Sequence, residues 1–349
     1  MTALSVTLGG MFAIIMLYSA LVFTDMPGLS GLRDAYIETA MTTGSHQWLA
    51  EWFFPKSLID RIMSKQNVNQ DVVSDPGKVD VAPGHDNAPG DDDPPPEDGA
   101  DNSRDRLGNL ILVDDREQDI RIVEIKGTGA DGMSYSGRLL FVSDPARVVV
   151  RFSSLKGTRG DFIADFLEDH NGIAAINGNG FADVDGVGNG GQILGWSIAD
   201  GASWGVKLTG KASAGFTKNN ILVVGQIADP AEFEIRDMVQ WGPALIADGK
   251  KLVSGSGGWG IHPRTAVGQT ADGTVVLVTV DGRQPDHSIG ITVGDLADIL
   301  LGYGVVNAAL CDGGSSSVMA YGGEIIGIPS TPRKTTGRYL PNAIIVLRK

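Results

Sequence analysis

Apolar and polar positions divide the chain into regimes. Residues 5–23 carry no charge, and the first charged side chain is Asp25. At about 1.5 Å per residue, a helix of that length is near the minimum that crosses a bilayer core. No Lys or Arg precedes the run and no clean Ala-x-Ala site follows it. This favours an uncleaved transmembrane anchor over residues 1–24 rather than a cleaved signal peptide. Residues 25–68 interleave charges with Trp48, Trp52, Phe53, Phe54 and Leu58. They read as a membrane-proximal amphipathic segment, lying along the membrane surface or packed on the span.

From residue 106 the pattern is that of a folded domain running to 349. Short β-branched runs predict strands at 110–113, 119–125, 138–142 and 147–152. Phe162, Phe166 and Leu167 recur at helical spacing, which predicts a helix over 161–170. A short buried strand follows at 173–176. Between 181 and 240 strands alternate with Gly-rich turns. The continuous Val/Leu/Thr run at 274–280 suits a strand covered on both faces. Thr292 is placed to cap a helix to about residue 301, with Asp295 at N3 and Val293, Leu296, Ile299 and Leu300 on one stripe. Gly302 and Gly304 stop it, and 305–311 is another apolar strand. A right-handed strand–helix–strand unit makes its two strands parallel, so Asp281 and Asp312 fall at the same carboxyl edge. Open α/β sheets bind ligands at that edge. The unit from 149 to 177 repeats the pattern and adds Asn177. The expected fold is α/β (α+β): a mixed, strand-rich sheet with βαβ units and a few helices, plus the N-terminal transmembrane helix.

Charge changes this picture in one place. The chain has 349 residues and a net charge of −14. Residues 69–105 hold 11 acidic and two basic side chains, so nine of the fourteen net negative charges lie in that stretch. It is rich in Pro and Gly, has almost no large apolar residue, and reads as a disordered linker. Asp91, Asp92 and Asp93 lack the ligand spacing of a calcium loop. The acidity excludes nonspecific nucleic-acid binding. Cys311 is the only cysteine, so no intrachain disulfide forms. It ends an apolar strand with no His nearby, which makes it a packing residue rather than a nucleophile.

The sharpest chemical feature is Asp312-Gly313-Gly314-Ser315-Ser316-Ser317, directly after a buried strand. The backbone N–H groups of such a turn can form an anion-binding nest. Asp281-Gly282 and Asn177-Gly178, taken alone, also read as ordinary turns. The serine run lacks the Gly-x-Ser-x-Gly elbow of a serine hydrolase. His262 and His287 flank the Arg and Asp motifs; substrate contact is the weaker of the two readings for each, beside a structural one.

Seven motifs occur in order: Asn177-Gly178-Asn179-Gly180-Phe181, Trp241-Gly242-Pro243-Ala244-Leu245, His262-Pro263-Arg264-Thr265-Ala266-Val267-Gly268, Val280-Asp281-Gly282-Arg283, Leu296-Ala297, the Asp312–Ser317 turn and Arg338-Tyr339-Leu340-Pro341-Asn342-Ala343. Together they resemble the phosphodiester glycosidase family over roughly residues 120–349. The family more often has Gly where this chain has Asn179 and Ser315. Asn tolerates the left-handed backbone that Gly would supply, and Ser315 narrows the approach to a ligand.

The resemblance implies hydrolysis of a sugar-1-phosphodiester between the anomeric carbon and the phosphate oxygen. A carboxylate stabilises or traps the oxocarbenium-like state. Asp312 is the first candidate for nucleophile or base and Asp281 the second. An Arg fork matches phosphate oxygens, so Arg264, Arg283 and Arg338 are expected to bind substrate. Asn177, Gly313, Gly314, Ser316, Ser317 and Asn342 complete the expected set. No cofactor is required; a calcium ion at the loop carboxylates stays open, without ligand spacing to establish it. The expected partners are a phosphodiester-linked glycan and, through the N-terminal helix, a membrane. The implied protein is a single-pass hydrolase of envelope or exopolysaccharide glycans, with its catalytic domain outside the cytoplasm. The alternative is a non-catalytic glycan-binding or exopolysaccharide-assembly protein on the same fold.

Overall fold

A computed structural model of the chain describes residues 14, 16, 18–20, 22, 29–43, 46–64, 71–81, 103–183, 186–333 and 335–349. Most of the expected span at 5–23, and residues 69, 70 and 82–102 of the expected linker, lie outside the described residues. Among the described residues no helix is long and apolar enough to cross a membrane.

Three helices come first: α1 (Leu29–Met41), α2 (Trp48–Glu51) and α3 (Lys56–Met63). They bury Ile37, Ala50, Phe54, Leu58 and Ile62 among themselves, together with Val22. The segment read as amphipathic therefore has a small core of its own. It also docks on the folded domain. Ile261 N–H donates to Thr39 Oγ1 at 3.1 Å, and the Thr42 hydroxyl meets His262 Nε2 at 2.7 Å. Gly260 has φ +63°, and a Cβ there would come within 2.7 Å of Thr39 Cα, so this contact requires Gly. Residues 71–81, inside the stretch read as linker, cross the domain surface. Val73 bridges to Gly225, and the Ser74 hydroxyl accepts from Val224 N–H.

The domain proper opens with β1 (Leu110–Asp115), β2 (Ile120–Thr128), β3 (Ser134–Val142) and β4 (Val148–Phe152). Helix α4 (Ile163–Asp169) leads to β5 (Gly172–Asn177). Short strands follow: β6 (Trp196–Ala199), β7 (Ala202–Gly205), β8 (Ser213–Thr217), β9 (Leu222–Gly225), β10 (Ile235–Gln240), β11 (Ala244–Ala247) and β12 (Lys250–Lys251). Then come β13 (Arg264–Thr270), β14 (Val275–Val280), α5 (Val293–Gly302) and β15 (Val305–Leu310). The chain closes with β16 (Met319–Tyr321), β17 (Glu324–Ile326) and β18 (Asn342–Leu347).

These strands form three sheets rather than one. An eight-stranded sheet has the order β1-β2-β3-β14-β13-β15-β11-β12, and two five-stranded sheets run β7-β6-β10-β8-β9 and β17-β16-β5-β18-β4. The expected mixed sheet is corrected by the pairing: among the described residues every named strand pair is antiparallel. The two crossover units still exist. β14 and β15 both pair antiparallel with β13, so they run parallel with β13 between them. β4 and β5 flank β18 in the same way. The carboxyl-edge argument survives, because an inserted antiparallel strand leaves both flanking strand ends on one edge.

β14 shows why its run is apolar throughout. Val275 and Leu277 enter the central core, where the three sheets meet. Val276, Val278 and Val280 face Val293, Leu296, Ala297 and Leu300 of α5. Each of the larger α5 side chains contributes roughly 1.5–3 kcal/mol by burial. Helix α4 covers the β4–β18–β5 sheet in the same manner through Ile163, Phe166 and Leu167. The α5 cap forms as expected. Asp295 N–H donates to Thr292 Oγ1 at 3.1 Å, and the Thr292 hydroxyl donates to Asp295 at 2.8 Å. Thr292→Ala is expected to cost about 1 kcal/mol, read as a lower midpoint in urea unfolding with an unchanged slope.

Candidate functional site

The carboxyl ends of β5, β14 and β15 meet the amino ends of β13 and β18 at one edge of the molecule. A cavity of about 610 Å³ opens beside them. Its wall includes Asp312–Ser316, Arg264, Arg283, Arg338, Asp183, Lys211 and Trp259, with Met41, Thr42 and Thr43 from the N-terminal helices.

Asp312 is fixed through its main chain. Its N–H donates to Gly178 O at 2.8 Å, and its carbonyl accepts from Asn177 Nδ2 at 2.7 Å. Asn177 is fully buried, and its Oδ1 accepts from the Thr265 hydroxyl at 2.8 Å and from Val318 N–H at 3.2 Å. Asn177 thus ties β5, β13 and the Asp312 turn together beneath the cavity; it positions Asp312 and does not line the wall. Burial pushes the Asp312 carboxyl up to about 6, against hydrogen bonds from Ser316 and Gly313 N–H and the charge of Arg338.

The Gly/Ser turn is not an open anion nest. Gly313 N–H donates to Asp312 Oδ1, Gly314 N–H to Pro263 O, Ser316 N–H to Gly313 O and Ser317 N–H to Gly314 O. Gly313, Gly314, Ser315 and Ser316 line the cavity. Ser317 does not; its hydroxyl is buried, with no partner among the described residues.

The three arginines differ. Arg338 forms a fork with Asp183 at 2.6 and 2.8 Å, donates to Ser315 Oγ at 3.1 Å, and lies 4.7 Å over the Phe181 ring. Its charge is already matched, and Arg338 holds the Asp183 carboxyl below its usual range. Arg264 is buried and donates to the carbonyls of Trp259, Gly260 and Ile291. Burial, helped by Arg283, brings Arg264 down to about 9. Its Nη2 therefore braces the loop before β13, and its Nε the segment before α5. Arg283 has neither duty. It touches His262 Nδ1 at 3.4 Å; burial lowers its pKa and the Asp312 charge opposes that shift. Its backbone is left-handed, at φ 60°. Burial and the two neighbouring arginines hold His262 well below the usual histidine range, so the ring is neutral at pH 7.

Gly314 controls the space for Arg283. It has φ +63°, and a Cβ there would stand 3.0 Å from Arg283 Nη2. Gly314→Ala is expected to cost about 1–2 kcal/mol and to displace the guanidinium. A thermal melt and turnover, measured together, check both effects.

Asp281 and Asn342 lie elsewhere. Asp281 pairs with Arg138 and accepts from Ile328 N–H at 3.2 Å, while His287 Nε2 sits 2.7 Å from its carboxylate. It is buried and outside the cavity wall, which leaves Asp312 without the expected second carboxylate. Asn342 donates to Asn179 Oδ1 and Ser197 Oγ, and accepts from Asn179 N–H. Asn179 is fully buried, and its backbone is not left-handed, so Asn fits here without that tolerance. Its amide instead bridges the carbonyls of Leu194 and Gln240.

Asp183, Lys211 and Trp259 are among the wall residues that were not anticipated. Asp183 lies two residues past the Asn-Gly-Asn-Gly-Phe run, and only that proximity marks it in the sequence. Lys211 and Trp259 lie in Gly-rich connections without a motif. Lys211 Nζ stands 4.0 Å over the Trp259 ring, and burial brings it down to about 8. Among the described residues no three His, Cys, Asp or Glu side chains gather to hold a metal ion.

Comparison with known proteins gives these findings. A family profile described as phosphodiester glycosidase matches residues 170–347. The SPbeta prophage-derived uncharacterized protein YomE of Bacillus subtilis (strain 168) is 31% identical over 200 residues, 53% of this chain and 30% of that protein. N-acetylglucosamine-1-phosphodiester alpha-N-acetylglucosaminidase of Bos taurus is 40% identical over 70 residues, 20% of this chain and 13% of that protein. The matches thus span less than a third of either relative's length. The zebrafish catalytic domain of the same name, solved auto-inhibited by its pro-peptide, superposes with a TM-score of 0.54 at 23% identity. It covers 66% of this chain and 83% of the solved one.

Proposed function

The chain belongs to the phosphodiester glycosidase family, and on that premise we propose that it hydrolyses sugar-1-phosphodiesters at the bond between the anomeric carbon and the phosphate oxygen. The observation that carries this reading is the pair Asp312 and Arg283 in one cavity: a half-buried carboxylate and an arginine that, among the described residues, has no carboxylate fork. Arg283 orients the phosphate and neutralises its charge. The C1–O bond breaks with its electron pair leaving on the phosphate, a good leaving group because its second pKa is about 6. No strong general acid is then needed. Asp312, ionised above pH about 6, meets the positive charge growing at C1 as nucleophile or activates the incoming water. Asn177 and the Gly/Ser turn hold Asp312 in place; the neutral His262 supports Arg283. No cofactor enters these steps.

The substrates in this reading are glycans of the cell envelope or exopolysaccharide, met outside the cytoplasm by a membrane-anchored enzyme. The uncharged run at 5–23 supports the anchor. So do the exposed rings of Trp52 and Phe53 on the N-terminal helices, at 77% and 51% exposure. The test is incubation of the full chain with an N-acetylglucosamine-1-phosphodiester of a simple alcohol. Release of free reducing sugar and the alkyl phosphate is expected. No release, together with retained binding to a phosphodiester-linked glycan, overturns the hydrolase reading in favour of a glycan-binding protein.

A further inference from the structure

A second polar surface borders the cavity and has no part in the chemistry above. Phe162 and Tyr339 stack with ring centroids 4.2 Å apart. Arg159 lies 4.7 Å over Tyr339; Arg333 lies 5.2 Å from the same ring and 5.9 Å from Phe162. Lys156 lies 4.5 Å over Phe152 and 5.3 Å from Trp204, and those two rings meet edge to face. Lys156, Arg159 and Arg333 are exposed. Among the described residues none of the three has a carboxylate within 4.0 Å. A chain of net charge −14 therefore keeps Arg159 and Arg333 on one ring, with Lys156 three residues before Arg159 on a second ring pair.

This face continues the cavity wall. Pro332 and Arg338 line the cavity, and Arg333 and Tyr339 are the next residues along the chain. The 186–191 loop joins the two regions: Arg338 Nη2 donates to Gly188 O at 3.2 Å, and Asn189 Nδ2 to Thr158 O at 3.2 Å. A cation lying on a ring keeps its outer side free for an anion. A ring edge or face left in water offers a flat apolar surface, against which the C–H face of a sugar packs.

We propose that this ribbon binds an anionic glycan chain, with sugar rings against the exposed ring edges of Tyr339, Phe162 and Trp204 and negatively charged linkages against Arg159, Arg333 and Lys156. The end of that chain enters the cavity. Only this last placement rests on the hydrolase reading.

Affinity electrophoresis through gels containing phosphomannan, with neutral mannan as the control, tests the binding. Phosphomannan is expected to retard the wild type and neutral mannan is not. Arg159→Gln with Arg333→Gln should weaken retardation about tenfold, the equivalent of two modest charge contacts; Arg159→Lys with Arg333→Lys should keep most of it. Both positions are exposed, and thermal melts confirm that the variants fold. Equal retardation of the wild type and the Gln pair overturns the proposal, as does equal retardation by neutral mannan. Kinetics supply a second arm. For the Gln pair, the ratio of kcat/KM on phosphomannan to that on a short sugar-1-phosphodiester should fall by the same factor; an unchanged ratio removes the chain end from the cavity. If the wild type cleaves neither substrate, the hydrolase reading fails and electrophoresis still decides the ribbon.

Discussion

Asp312→Asn is expected to lower the release of free sugar by at least about a thousandfold, the scale seen when a nucleophile or base is removed. The pH profile identifies the role. A nucleophile or base must be ionised, so kcat/KM of the wild type should rise through an acid limb near pH 6, where burial places the Asp312 carboxyl. A fall in rate above pH 6 would make Asp312 a proton donor and sink the proposed step. Stability supplies an independent signature with the opposite sign. The folded state raises this pKa from 3.8 to about 6, so it binds the proton more tightly than the unfolded chain does. The resulting stabilisation is complete below about pH 4 and is lost as pH rises through 6. Two units at 1.36 kcal/mol each make the ionised carboxylate cost up to about 3 kcal/mol above pH 7. Asp312→Asn should therefore melt several degrees higher than the wild type at pH 8 and at nearly the same temperature at pH 4. An active-site carboxylate kept at the expense of stability behaves in this way; a structural one does not.

Much of the frame around Asp312 was legible in the sequence, for physical reasons. A strand buried on both faces has to be apolar throughout, and β14 is. Helix α5 carries its cap and its stripe in its own residues. Both features depend on neighbours within a few positions. What stayed hidden depends on distant partners. The period-2 pattern says which face of a strand is buried but not which strand lies beside it. The insertion of β13 between β14 and β15, and of β18 between β4 and β5, is therefore invisible locally. The four-residue strands β6, β7, β9 and β11 are too short to show a period at all.

The same limit explains the carboxylates. Asp281 and Asp312 look alike in sequence, each an Asp-Gly after a buried strand. Arg138, on β3 and 143 positions earlier, makes Asp281 half of an ion pair. Arg338, 155 positions after Asp183, does the same for a carboxylate that no motif contains. The contact of Thr42 with His262 joins residues 220 apart. Strand ends point to where a site lies. Which charge stays available there is decided by partners that arrive from other elements.

That distinction sets the expectation for the arginines. Arg283→Gln should reduce kcat/KM by about a hundredfold to a thousandfold, the loss typical when one donor to developing charge is removed. Arg264 and Arg338 carry similar charge in the same wall, yet their donors are engaged by the Trp259, Gly260 and Ile291 carbonyls and by the Asp183 carboxylate. Turning Arg338 to a substrate phosphate breaks its fork with the half-buried Asp183, and turning Arg264 leaves the buried Gly260 and Ile291 carbonyls unmet. The guanidinium of Arg283 has no such tie. Arg283→Lys keeps the charge but loses the fork that meets two phosphate oxygens at once, so it should recover only part of the activity. Because the proposed reaction builds negative charge on the leaving phosphate, the defect should appear in kcat and not in KM alone. The check is a comparison across leaving groups. With a phosphodiester whose alcohol is more acidic, the departing phosphate is a weaker base and leaves more readily, so the penalty of Arg283→Gln should shrink. A penalty that stays constant across leaving groups would place Arg283 on the sugar side of the cavity, away from the phosphate.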